Sequence, residues 1–247
     1  LYYSRFARND LFIAVWTVLL IVSVWRYRDD GRLRWLLVAS AALALSFATK
    51  ETTYLTAALL LTYVSVTLSF ALVEQLKWAL SGWRRVVLGL LLAPFAWVVA
   101  ALWPLTGEWR ARIGWQERPR EVDLLVVLGT LTGSQLAAAV QLPLGMIGVE
   151  LEGDRELTIA ASMVTAVVFG GAVVGLGWRW RWWALCAGLF YVIYVLLFTT
   201  GFTNLDGFGS GFWDSLDYWL AQQDVRRGEQ PWFYYIMMLP IYELLTL

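Results

Sequence analysis

The sequence predicts an all-α, polytopic transmembrane helical bundle, and three observations carry that expectation. Apolar residues make up 60% of the 247-residue chain, charged residues 15%, and mean hydropathy is +0.61, whereas a soluble domain has about 45–50% apolar and about 25% charged residues. The apolar residues fall into about seven runs of roughly span length, a bilayer core needing about 20 per helix. Finally, basic residues cluster in every second connection between the runs.

In chain order the runs are 11–25, 33–49, 53–73, 86–105, 157–178, 182–199 and 231–247. A weaker stretch, 124–148, contains Gly133, Ser134, Gln135, Gln141 and Pro143. Uncovered polar groups are unwelcome in lipid, so a re-entrant or interfacial helix packed on protein is expected there. No heptad, low-complexity tract or repeat interrupts the pattern, and residues 1–247 read as a single transmembrane domain with loops at about 106–156 and 200–230 on one face. The first residue is not Met and the closing "IYELLTL" stops inside an apolar run; the chain reads as an internal piece of a longer protein.

Charge gives the expected orientation. The connections "RYRDDGRLR", "EQLKWALSGWRR" and "GWRWRWW" hold nine basic residues against Asp29, Asp30 and Glu74, a net of +6, and the positive-inside rule assigns them to the cytoplasm. Strict alternation then sends the opening stretch, "TKET", 106–156 and 200–230 to the outer face of a cell membrane, with ten basic and fifteen acidic residues, a net of −5. This holds provided that 124–148 does not cross. Trp and Tyr crowd the run ends, as in interfacial belts.

Several chemistries are excluded or narrowed by what is absent. The sequence has no histidine, the usual general base and commonest metal ligand. Its one cysteine, Cys186, lies in an apolar run, so there is no disulfide framework or cysteine metal site. Acid–base work falls to carboxylates, Tyr or Lys. Asp206, Asp214 and Asp217 offer oxygen ligands, but their spacing is no recognised metal pattern; the cofactor is left unknown.

Three polar clusters fall on the expected outer face. In "LYYSRFARNDLF", Arg5 and Arg8 are three apart and able to present two guanidinium groups to one anion, with Asp10 about 100° from their stripe. The alternative is that the arginines snorkel to headgroups while Asp10 opens the helix, where an acid suits the positive dipole end. In "SFATKETTY", Lys50 and Glu51 stand between two apolar runs with almost no loop, a depth at which ionisable residues are usually functional or paired. Lysine and two arginines converging on one leaflet suit a lipid phosphate. The third cluster is the loop "GFTNLDGFGSGFWDSLDYWLAQQDVRRGEQPWFYY". It starts glycine-rich, then reads as a short helix with Trp213, Leu216 and Leu220 on one face and Asp214, Asp217 and Tyr218 on another. Gln222, Arg226 and Arg227 follow. Aromatic rings beside carboxylates and amides suit a sugar; an amphipathic helix anchored at the membrane surface by tryptophan is the alternative. The mixed-charge "GEWRARIGWQERPREVD" is assigned no chemistry.

"YYSRFARNDLF" and "ATKETTY" resemble elements of polytopic glycosyltransferases of the protein mannosyltransferase type. Together with "FWDSLDYWLAQQDVRRGEQPWFYY" they look like the bacterial and archaeal family of family-39-like glycosyltransferases or flippase activity-associated membrane proteins, over most of the chain. The resemblance implies a fragment of a larger GT-C-like membrane domain, with its site at the outer face and a polyprenyl-phosphate-linked sugar as donor. It implies that Lys50 binds the donor phosphate with Arg5 or Arg8 assisting, and that Asp10 sits in the site orienting the substrate or the arginines. It also implies that the principal catalytic acid lies in a loop preceding this chain. Some relatives use a divalent metal and others do not.

The residues leave two other classes open: a non-catalytic lipid-carrier binder or flippase-associated protein using the same phosphate pocket, and an accessory subunit of a larger membrane complex. Lack of histidine speaks against pigment ligation, and few polar residues or helix breaks lie mid-span as a transporter requires. Nothing points to nucleic acid. Membrane lipid is the expected surrounding partner; the acceptor is not legible.

Overall fold

Asp10 supplies an acid to the first turn of a helix that is mostly apolar until Trp25 and carries Arg28, Asp29 and Asp30 in its last turn; the acid at its start suits the positive end of the helix dipole. This helix, α1 (Asn9–Asp30), ends at Gly31, whose φ of +67° lets the chain reverse. The structure, a computed structural model, describes residues 9–76, 82–113, 115, 117–141, 153–207, 210–216, 218 and 233–234. The remaining elements are α2 (Leu33–Thr49), α3 (Thr53–Glu74), α4 (Trp83–Leu92), α5 (Ala96–Leu102), α6 (Gly107–Ile113), α7 (Arg120–Gln135) and α8 (Gly153–Phe198). Among the described residues there is no strand.

Four helical stretches are long and apolar enough to cross a membrane, namely Asp10–Asp30, Thr53–Glu74, Trp83–Leu105 and Thr158–Phe198, and α2 is a shorter apolar helix between the first two. Pro94 and Pro104 each fall in a 3₁₀ turn within the third stretch, because proline supplies no N–H to the helical ladder. The expected run at 231–247 lies outside the described residues except for Phe233 and Tyr234.

The runs expected at 157–178 and 182–199 are one helix broken at Arg179, which has φ −151° and ψ 86°. The break reverses the chain. On the first arm, Trp178, Gly171 and Val167 meet Asp123, Thr130 and Gly133 of α7, an antiparallel register. On the second, Trp183, Tyr191 and Tyr194 meet Thr130, Ser134 and Gln135, a parallel one. Both arms therefore grip α7. At the bend the Trp183 indole occupies the space a Cβ at Gly175 would need, while nothing lies within 4 Å of the same position at Gly177. Gly175→Ala should thus cost about 1–3 kcal/mol through overpacking, and Gly177→Ala should be neutral or mildly stabilising. Thermal unfolding of the two variants in detergent checks the pair.

The stretch expected to be re-entrant or interfacial is packed on protein, as anticipated, but it starts earlier, at Arg120, and is the best shielded helix of the bundle. Every residue from Glu121 to Leu128 is buried. Two of its hydroxyls are satisfied within the helix, Thr130 donating to the Val126 carbonyl at 2.7 Å and Ser134 to that of Leu131 at 2.7 Å.

Three contacts fix the entry to this helix within the stretch expected as a loop, 106–156. Arg120 donates to the Arg28 carbonyl at 2.6 Å, Glu121 pairs with Arg28 at 2.8 Å, and the Trp115 indole donates to the Leu72 carbonyl at 2.9 Å. The segment leading into α7 therefore lies at the end of the bundle where α1 and α3 finish, not at the Lys50 end. From there α7 runs to Gln135, beside Tyr194 and near Tyr54 at the opposite end. Strict alternation counts this helix as non-crossing because it contains Gly, Ser and Gln, and neighbouring helices surround it. Glu117, Arg118, Arg120, Glu121 and Asp123 fall at the arginine-rich end together, a net of −1 that leaves its positive excess.

Candidate functional site

The first cluster sits where α1 begins and α2 ends. Ser46 holds the Lys50 backbone N–H at 3.1 Å, and Lys50 takes an extended φ of −162° that stops α2. Its carbonyl accepts the Thr53 hydroxyl at 2.7 Å and starts α3. This tight turn aims the Lys50 ammonium across to α1, where it donates to the Asp10 carboxylate. The two side chains are 37% and 61% exposed, so the pair is open to water and held mainly by its turn. Glu51 is partly buried beside Tyr54.

The described part of the long loop reaches back toward this end. The Tyr194 hydroxyl donates to the Gly211 carbonyl, and Tyr54 lies within hydrogen-bonding reach of Ser215. A π-helical turn, Ser210–Asp214, packs against α7, the second arm of α8 and the 3₁₀ turn Ala137–Val140. The expected two-faced character is present: Trp213 and Leu216 are buried, Asp214 and Tyr218 exposed. Trp213, at 5% exposure, lies in the buried core with Phe212 and Leu216, and it is Phe212 that meets the aromatic column of Phe190, Tyr194 and Phe198. The large apolar surface of Trp213 is better covered by helices than left beside water. Arg5, Arg8, Asp217, Gln222, Arg226 and Arg227 lie outside the described residues.

The structure therefore brings Lys50 to Asp10, with Glu51 and Tyr54 on the adjoining turn and Ser215 within reach of Tyr54. A carboxylate beside an ammonium fixes the direction of that ammonium, and an exposed pair can exchange its partner for an incoming anion at little cost, since exposed ion pairs contribute only about 0–1 kcal/mol. Among the described residues no group of three or more His, Cys, Asp or Glu side chains is placed to hold a metal ion.

A second polar cluster, at the arginine-rich end, was not anticipated. Asp123, with a side chain only 5% exposed, accepts the Tyr27 hydroxyl at 2.5 Å and the Trp178 indole at 2.8 Å, and lies 3.3 Å from the Arg118 guanidinium. One carboxylate thus ties α1, α7 and α8 together, with its charge met by Arg118. Beside it Arg28 pairs with Glu121 and donates to the Tyr63 hydroxyl at 2.6 Å. The available signal was "RPREVDLLVV", where four charges abut an apolar run just as Asp10 does in the opening stretch.

Composition and helix lengths define a helical membrane protein with polar clusters at both ends of its bundle. No protein-family model, curated protein or solved structure matches the chain.

Proposed function

We propose that the chain is the membrane-embedded core of a glycosyltransferase that moves a sugar from a polyprenyl-phosphate donor to an acceptor at the non-cytoplasmic face. The observation that supports this reading is the meeting of Lys50 with Asp10 across the ends of α2 and α1, one turn from Tyr54, which lies within reach of Ser215. In this reading Lys50 faces the donor phosphate and Asp10 directs it. The leaving phosphate gains negative charge as the acceptor hydroxyl attacks the anomeric carbon, and a preorganised cation lowers that barrier electrostatically. Arg5 and Arg8, within one or two turns of Asp10 in sequence, would add bidentate donors. The acceptor proton passes to a carboxylate, a service worth on the order of 10²–10⁴-fold; Asp10 is engaged with Lys50, which favours a separate acid as the base.

The test is to purify the full-length protein from its native membrane and identify the retained lipid by mass spectrometry, then to measure sugar turnover with that lipid. A polyprenyl-phosphate sugar that turns over supports the transferase. Retention without turnover assigns the chain to handling the lipid carrier without chemistry, and retention of neither the carrier nor its sugar removes the proposal.

A further inference from the structure

On α1 the residues Leu11, Val15, Val18, Val22 and Trp25 are all at least 38% exposed, and Phe12 and Leu19 flank them. Their spacing of three and four puts them on one face, an apolar track along the outside of the bundle. The track leads to a cleft of about 370 Å³ between α1, α3 and α7, lined by Trp25, Arg28, Asp29, Tyr63, Arg120 and Glu121. A leaflet's hydrocarbon is about 15 Å deep, or about ten helical residues, so a lipid seated in the cleft would lay its chains along α1 from Trp25 toward Val15.

The cleft is built rather than incidental. Arg120 passes over Gly31, where a Cβ would lie 3.2 Å from its Nε, and donates to the Arg28 carbonyl. Arg28 is fixed through Nε to Glu121 and through Nη1 to Tyr63. Asp29 is exposed and makes no ion pair among the described residues. Two guanidinium groups and two carboxylates therefore share one opening, a balanced arrangement that gives a purely anionic headgroup as much repulsion as attraction.

We infer that this cleft binds the headgroup of a zwitterionic phospholipid bearing a primary ammonium, with the phosphate toward Arg120 and Arg28 and the ammonium donating to Asp29. Guanidinium groups bind phosphate through paired hydrogen bonds, and polar pockets between membrane helices are recurrent headgroup sites. A quaternary ammonium has no N–H for Asp29 and should bind less well. At 370 Å³ the cleft is at the small end for ligand pockets, which suits a compact headgroup.

The experiment is competitive lipid retention by native mass spectrometry, the full-length protein being offered phosphatidylethanolamine, phosphatidylcholine and phosphatidylglycerol of matched chains. Phosphatidylethanolamine should be retained about tenfold over phosphatidylcholine, a difference of about 1.4 kcal/mol. Asp29→Asn should erase that preference while leaving the melting temperature unchanged, and Arg120→Ala should lower retention of both lipids. Equal retention of the first two lipids, preference for phosphatidylglycerol, or a preference that survives Asp29→Asn would overturn the assignment. Sugar transfer is read separately at the other end of the bundle, so this result stands or falls independently of the proposed activity.

Discussion

Lys50→Ala should reduce sugar transfer by on the order of 10²–10³-fold, the cost of removing one donor aimed at charge that develops in a transition state. Membrane insertion should be unaffected, because the Lys50 side chain is 37% exposed and its partner Asp10 more so, leaving no buried charge stranded. Lys50→Arg keeps the cation but replaces a point charge with a longer planar fork, and should recover part of the rate. Asp10→Asn keeps Lys50 charged but loosens its direction, so its effect should be smaller and fall on donor KM and kcat together. Turnover measured with a polyprenyl-phosphate sugar, alongside a protease-protection assay of topology, separates the outcomes. Full activity in Lys50→Ala removes Lys50 from the phosphate role.

The largest stability effect is expected at the other end. Asp123→Ala leaves the Tyr27 hydroxyl, the Trp178 indole and the Arg118 guanidinium without their shared acceptor. Removing one member of a buried charged pair typically costs about 3–5 kcal/mol, enough to consume much of a domain's margin. Asp123→Asn keeps an oxygen acceptor and should lose less, about 1–2 kcal/mol. Thermal or detergent-titration unfolding in a fixed micelle measures both. A loss for Asp123→Ala no larger than that of a surface substitution would show that the three donors find other partners.

Much of the helical layout was legible in the residues. The run from Leu33 to Thr49 coincides with α2, that beginning at Thr53 overruns by one residue to Glu74, and the break in "GWRWRWW" falls on Arg179. These boundaries are written in local terms: charges, Gly31, and abrupt changes of hydropathy. The place of α7 was not legible, since its Ser134 and Gln135 look the same whether a neighbour covers them or lipid does. Burial of Leu124 to Leu128 on all sides leaves no amphipathic stripe for a sequence to display.

The same division holds at the two polar clusters. Lys50 stood out because it interrupts two apolar runs, and Asp10 because it opens one; their pairing follows from the short turn between α2 and α3. Trp213 stays open in the sequence between a sugar platform and an anchoring helix, because an aromatic residue next to an acid looks the same in both and on the edge of a core. Asp123 went unnoticed because its partners are 96 and 55 residues away in sequence, and no local pattern records such distances.

The double grip of the two α8 arms on Thr130 has a bearing on biogenesis. Helix α7 leaves the ribosome before either arm, carrying Thr130, Ser134 and Gln135 before the residues that cover them are made. Its final seat exists only after Tyr194 has been synthesised and the chain has doubled back at Arg179. The best shielded of the described helices is therefore covered only as later segments arrive, and a chain interrupted before the second arm would leave Thr130, Ser134 and Gln135 without that cover.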